Sequence, residues 1–398
     1  MGDRLLVANP LVAKLQLLIS GVVAVGLGLV LGIFVFVYPQ TGRVSQQTVT
    51  VTATVPDHGQ GSCAGCAKSY AGSLPQARDV PGYKSPISLL FVGDIMLDRT
   101  VATRIRQAND FGYPFERVGN LKDGAFGKYD LVVGNLEGPV TAQRQASSKT
   151  ISFRFDPKVI DVLKSVGFDA LSQANNHSLD QGWSGFGESY RRLYEAGLQP
   201  FGHETLDDAT SSLIFLQKRG RKIALLGFNI TSNPLDRKEA LQALRKARAE
   251  ADFVVPFIHW GNEYKDRPSP AQIELAHWFV DSGADAVIGS HPHWMESIEA
   301  YRGRPIAYSL GNFVFDQDWS VETNYGLAVG LILADGQSEL RLFPVRLDKS
   351  RPYILQGTER MARLKHLANI SSASLGSAIL SGGLKLTADR LAAFGGER

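Results

Sequence analysis

Asp285-Ala-Val-Ile-Gly-Ser-His-Pro-His293 is the stretch on which the fold of this chain turns. Ala286, Val287 and Ile288 form a short apolar run that reads as a strand buried on both faces of a parallel sheet. Gly289 and Ser290 break the run, and His291 and His293 follow on either side of Pro292. Proline fixes its own φ and biases the residue before it toward an extended backbone, so both imidazoles are expected on stiff, extended chain. Ligands of open α/β sheets gather at the carboxyl ends of the strands. Two neutral imidazoles in that place suit a transition-metal ion. The competing reading is a histidine pair packed at a strand end, and the other strand ends decide between the two.

Working outward, apolar runs at residues 89–92, 130–133, 168–172, 213–216, 223–228 and 253–258 read as strands. Helical spacing falls between them at 99–108, 157–166, 185–196, 237–250 and 270–282. After His293 the pattern changes to strands at 296–301, 305–310, 325–334 and 339–347, joined by tight turns such as Asp335-Gly336. Alternating β and α units followed by hairpins indicate two packed sheets with helices outside. From residue 351 the chain reads as two further helices, near 358–367 and 384–394.

Five of these strand ends carry ligand-type side chains: Asp94, Asn135 with Glu137, Asn176 with His177, His259, and His291 with His293. Buried carboxylates and imidazoles are costly unless paired or bound to a metal. One such residue can be a strand-end cap; five in succession point to a divalent-metal site. Glu263 lies close to His259 in sequence; it reads either as a carboxylate that orients that histidine or, the more ordinary case, as a solvated loop carboxylate. Asp180, Asn312 and Asp316 are loop candidates at the same rim, whereas His58, His203, His277 and His366 lack a partner motif.

The N-terminal part reads differently. Residues 15–38 carry no charge, and roughly 20 apolar residues match the hydrocarbon thickness of a bilayer. The run is long for a signal-peptide core, and no small-x-small cleavage site follows it. Arg4 and Lys14 outnumber Arg43 across the run, which favours a cytoplasmic N-terminus. The expected organisation is a tail at 1–14, a single transmembrane anchor at 15–38, an extracellular Thr/Ser/Gly/Gln-rich linker at 39–85, a folded domain at 86–350 and a helical extension at 351–398. Cys63 and Cys66 are the only cysteines of the 398 residues. They lack the further ligands of a zinc site and read as a passive pair in the linker, or, outside the cytoplasm, as a local disulfide. A net charge of +3 gives no ground for a nucleic-acid partner.

Six motifs in order carry a family resemblance: Gly93-Asp94-Ile-Met, Gly134-Asn-Leu-Glu137, Asn175-Asn-His-Ser-Leu-Asp-Gln-Gly182, His259-Trp-Gly-Asn-Glu-Tyr264, Gly289-Ser-His-Pro-His293 and Ser309-Leu-Gly-Asn312. Over residues 87–347 the chain resembles the bacterial capsule-synthesis CapA family of the calcineurin-like metallophosphatase superfamily. The resemblance implies a four-layer α/β/β/α sandwich with one or two divalent metal ions at the top of the sheets. It implies that Asp94, His259, His291 and His293 are metal ligands, that Glu137 replaces the usual bridging carboxylate, and that Asn176 is the asparagine ligand. Asn135 joins this set as a ligand-type residue. His177 would be the catalytic histidine, with Asp180 and Glu263 as further candidates for the catalytic group. One departure stands out: Met96 occupies the position of a superfamily ligand histidine.

Three functions follow as expectations. The first is a membrane-anchored component for synthesis or export of an anionic extracellular polymer such as poly-γ-glutamate, acting with other capsule subunits through metal-dependent acid–base or hydrolytic chemistry. The second is an extracellular metallophosphoesterase, which the missing histidine at Met96 disfavours. The third is a non-catalytic scaffold stabilised by its metal.

Overall fold

The computed structural model describes residues 84–145, 149–202, 212–231 and 234–388. The anchor expected at 15–38, nearly all of the linker, Cys63 and Cys66, and the last residues of the helix expected at 384–394 lie outside the described residues.

The described residues open with three strand-to-helix units. β1 (Ile87–Ile95) leads to α1 (Arg99–Ala108), β2 (Leu131–Leu136) to α2 (Val159–Ser165), and β3 (Ala170–Ser172) to α3 (Gly182–Glu195) and a short β4 (Gln199–Phe201). The hairpin β5 (Leu213–Lys218) and β6 (Arg221–Asn229) is followed by α4 (Arg237–Glu250), β7 (Phe253–His259), α5 (Pro270–Asp281) and β8 (Val287–Ser290). Strands then succeed one another: β9 (Ile298–Tyr301), β10 (Arg304–Ala307), β11 (Asn312–Val314), β12 (Tyr325–Ala334), β13 (Gln337–Asp348) and β14 (Arg351–Ile354). Helices α6 (Gly357–Ile370) and α7 (Gly376–Ser381) precede the last described strand, β15 (Gly383–Thr387).

Local chemistry starts the helices where the sequence says it should. Asp98 caps α1 by accepting from Arg99 N, and Asp236 caps α4 by accepting from Lys238 N and Glu239 N. Ser269 and Gln272 form a reciprocal capping box ahead of α5, with Pro270 at its first turn.

Among the described residues the strands form two sheets. One has nine strands in the order β14-β13-β12-β1-β2-β3-β4, with β11 against β1 and β15 against β13. The other has six, in the order β5-β6-β7-β8-β10-β9. β1 to β4 are parallel, as are β6, β7, β8 and β10. Side chains alternate along each strand, so β1 sends Leu89 and Phe91 to one apolar cluster and Leu90 and Val92 to another. The first cluster is shared by both sheets; Phe91 of β1 meets Phe257 of β7 edge-on at 5.8 Å. The second joins the nine-stranded sheet to α1, α2 and α3, and a third joins the six-stranded sheet to α4 and α5. The order is therefore helices, sheet, sheet, helices, an α/β sandwich of the expected kind.

Two expectations for the C-terminal part do not hold. Leu384 belongs to a strand, because Gly383-Leu-Lys-Leu-Thr387 alternates buried and exposed with period two and pairs antiparallel with β13. A boundary at residue 350 would also cut a sheet, since β14 hydrogen-bonds to β13 and α6 and α7 bury Leu364, Leu367 and Ile379 in the cluster between the sheets. The repeated leucines looked helical in isolation; the free edge of β13 makes them a strand.

Candidate metal centre

The five ligand-bearing strand ends come together at one end of the two sheets. Asp94 lies in β1, opposite Asn135 of β2 and Asn312 of β11 in register. The approach of β1 to β11 requires glycine at position 93, where a Cβ would run into Gly311 O. Position 289 is equally closed, since a Cβ there would strike Tyr308 O and come within 2.5 Å of Trp260 Nε1.

Asp94, Glu137 and His293 offer ligand atoms that all lie within 4.8 Å of one another, and all three residues are buried. His293 Nδ1 is 3.0 Å from Asn312 Oδ1 and 3.3 Å from Asp94 Oδ2, and Nε2 is 3.7 Å from Glu137 Oε1. His259 lies beside His291 with ring centroids 4.7 Å apart and planes tilted by 55°. Its Nε2 meets Asn176 Oδ1 at 2.9 Å and its Nδ1 meets Ser290 Oγ at 3.0 Å. His291 N donates to Asp94 Oδ2 at 3.3 Å. His259 and His291 thus flank the three-residue cluster.

Electrostatics fit a cation. Burial, then Asp94, Glu263 and Asp180, push Glu137 well above the usual carboxylate range. Burial and the neighbouring imidazoles hold His259 well below the ordinary histidine value and His291 down at about 4, which leaves both neutral and able to ligate. Glu137 Oε1 and His291 Nδ1 are buried with no hydrogen-bond partner. Orphaned acceptors facing a carboxylate–imidazole cluster are the donor set that a divalent ion satisfies. These residues fit the group that the resemblance implies.

His177 sits beside this cluster with a different set of partners. Its Nδ1 lies 2.7 Å from Asp180 Oδ2, and its ring packs against Phe153 with centroids 4.2 Å apart and planes tilted by 35°. Asp180 also accepts from Lys149 Nζ and Phe153 N at 2.7 Å each. Burial pushes Asp180 upward, but the bonds from His177, Lys149 and Phe153 outweigh it and hold the carboxyl below its usual range.

Two expectations are corrected, for Asn135 and for the loop at Pro292. Asn135 does not present its oxygen to the cluster: its Nδ2 donates to Asp94 Oδ1 at 2.8 Å, while its Oδ1 accepts from Asn175 Nδ2 at 3.1 Å. An N–H cannot ligate a cation, so Asn135 clamps Asp94 in place. Of the two readings of Glu263 the solvated loop carboxylate holds: the nitrogens of His259 are taken by Ser290 and Asn176, and the Glu263 carboxylate is exposed on the loop, where its charge is felt by Glu137. The loop at Pro292 is not extended, because His291 has φ 96 and His293 φ 58. Non-glycine residues in that region are strained and cluster at functional sites, and here the strain turns both rings inward. Met96 is buried with its Sδ 3.1 Å from Asp98 N.

The partners that sequence reasoning missed are Asn175, Ser290 and Arg99. Asn175 and Ser290 lay within the quoted motifs, but their contacts reach across 40 and 31 positions.

Residues 88–317 match the family described as bacterial capsule synthesis protein PGA_cap. The chain is 33% identical over 282 residues to the PGA biosynthesis protein CapA of Bacillus subtilis, covering 67% of this chain and 73% of that protein. It is 31% identical over 289 residues to the capsule biosynthesis protein CapA of Bacillus anthracis, covering 67% and 69%. A probable polyglutamine synthesis accessory protein of Mycobacterium tuberculosis is 27% identical over 252 residues, covering 57% and 66%. With six ordered motifs converging on one buried carboxylate–histidine cluster and this match across most of the folded part, the chain belongs to the bacterial capsule synthesis protein PGA_cap family.

Proposed function

We propose that this protein acts in the synthesis or export of an extracellular glutamate-type capsule polymer, through a divalent-metal site that performs acid–base or hydrolytic chemistry. The reading includes anchoring by residues 15–38, with the folded part outside the cell. One observation carries it above the rest: the buried Asp94–Glu137–His293 cluster beside the His177–Asp180 pair.

Asp94, Glu137 and His293 would hold the ion, with His259, His291 and Asn176 beside them. A divalent ion so held supplies Lewis acidity toward a carbonyl or phosphoryl oxygen. Asn312 and Asp94 engage His293 at Nδ1, which turns Nε2 toward Glu137. Asp180 holds the proton of His177 on Nδ1, so Nε2 is the nitrogen left to exchange a proton with a reacting group. The Phe153 ring packed against it restricts rotation of the imidazole.

Capsule polymer made by cells that depend on the full-length protein tests the proposal, measured alongside metal content of the purified protein. His293→Ala should lose both polymer and metal, and His177→Ala polymer alone. Normal polymer with folded His177→Ala and His293→Ala proteins would reduce the site to a scaffold and sink the catalytic reading. Surface protease on intact cells checks the topology; a domain protected from it contradicts the extracellular placement.

A further inference from the structure

Arg99 opens α1 with φ 50, a left-handed conformation that a long side chain adopts only where its surroundings over-determine it. Its guanidinium meets Asp316 twice, through Nη2 on Oδ1 and through Nε on Oδ2 at 3.2 Å. Thr100 N donates to the same carboxylate at 2.9 Å, and the Asp316 side chain is only 2% exposed. The guanidinium also lies over two rings, 5.3 Å from the Phe153 centroid and 5.9 Å from that of Phe315. Those rings are the ones that pack on the site: Phe153 is 4.2 Å from His177, and Phe315 is 4.7 Å from His293. A fixed cation therefore stands one ring away from both the proton-exchange histidine and the metal cluster.

Fastening α1 does not require this cation. Asp98 already caps the helix and Thr100 N already reaches Asp316. Asp316 grips one edge of the guanidinium, and among the described residues no acceptor is paired with Nη1. The side chain is about one-third exposed at 36%, so that edge is open to a solute. A guanidinium held rigidly from behind with a free edge is preorganised for a planar or tetrahedral oxyanion.

We infer that Arg99 is the anion-recognition residue of this site. It takes a carboxylate or phosphate oxygen of a ligand whose neighbouring bond lies at the Asp94–Glu137–His293 cluster. The inference rests on the reading of that cluster as the reactive centre. Polymer carboxylates and phosphoesters share the required oxyanion, and the two are separable by experiment.

Calorimetric titration of the full-length protein with inorganic phosphate and with γ-linked triglutamate provides the test. Parent, Arg99→Ala and Arg99→Lys proteins are compared, each with its metal content. Arg99→Ala should weaken at least one probe by about tenfold or more with metal content unchanged. Arg99→Lys should regain part of the loss, and it keeps the test alive if the alanine protein does not fold. A loss confined to triglutamate supports a carboxylate polymer as the ligand; one confined to phosphate supports a phosphorylated ligand. Parent-like binding of both probes by folded Arg99→Ala overturns the inference, and so does a parent that binds neither probe. Loss of metal together with anion binding in both variants makes the Arg99–Asp316 pair structural and overturns it too. His293→Ala measured in parallel separates the two ideas: full metal content there removes the metal reading, whatever Arg99 does to the probes.

Discussion

His177 Nδ1 lies 2.7 Å from Asp180 Oδ2, and the Asp180 side chain is sealed from solvent. An ionised carboxylate in that position holds one tautomer of the imidazole and one orientation of its ring. His177→Ala should lower turnover by roughly 10²–10⁴-fold, as for loss of a general acid or base. Asp180→Asn should lower it in the same direction, because an amide no longer stabilises the Nδ1–H form that leaves Nε2 for proton exchange. Metal content should stay at the parent level in both. Steady-state kinetics with metal analysis check this; undiminished turnover in Asp180→Asn would detach the pair from the chemistry.

Glu137 should show opposite effects with and without metal. Its carboxylate is fully buried next to Asp94, with Oε1 unpaired. Glu137→Gln puts a neutral side chain of the same shape where burial and then Asp94 oppose a charge, so in chelator the variant should melt at or above the parent temperature. Metal affinity should fall by about 10–100-fold, the usual consequence of disturbing a ligand set. Melting curves in EDTA and a metal titration measure the two quantities. A metal-free variant that melts well below the parent contradicts the cost of a charge at this position.

Chelation itself discriminates ligands from neighbours. An ion that binds only the folded state at about 100 times its Kd stabilises it by about 2.7 kcal/mol. EDTA should therefore lower the Tm of the parent and of His177→Ala alike, and shift His293→Ala much less. Equal shifts in all three proteins would place His293 outside the ligand set.

Glu296 supplies a pH dependence away from the cluster. It is buried, with Oε2 accepting from Gln272 Nε2 at 2.9 Å and Oε1 unpaired. Burial pushes its pKa up to about 8, against the hydrogen bond from Gln272 and aided by Asp266. In the unfolded chain the group titrates near about 4.3. Between these values the folded protein keeps a proton that the unfolded chain has lost, so stability falls as pH rises, by up to about 1.4 kcal/mol per pH unit. Glu296→Gln should flatten that slope. Denaturant unfolding from pH 5 to 8 compares the two, and identical slopes would show that Glu296 is ionised in the folded state.

Much of the fold was legible because its signals are local. The hairpin turn at residues 218–221, the charged helix α4 and the long strand β12 were read at or near their observed bounds. β4, β11 and β14 were not: Gln-Pro-Phe, Asn-Phe-Val and Arg-Pro-Tyr-Ile are three or four residues long and lack the apolar run that marks the equally short β8. β15 was misread for a different reason: its partner, β13, lies more than 40 residues upstream.

The site divides along the same line. By itself the sequence determined which strands end in carboxylate, amide or imidazole, because an apolar run stopped by a glycine and a polar residue is a short-range pattern. Asp94, Glu137, Asn176, His177, His259, His291 and His293 were all marked in that way. Only the tertiary structure decided which atoms face one another. His291 N reaches Asp94 across 197 positions, and Arg99 reaches Asp316 across 217. Such pairings are set by the packing of two sheets and by the left-handed backbone at Arg99, His291 and His293. Neither leaves a periodic trace in the chain, because the forces responsible act between segments that are neighbours only after the core has formed.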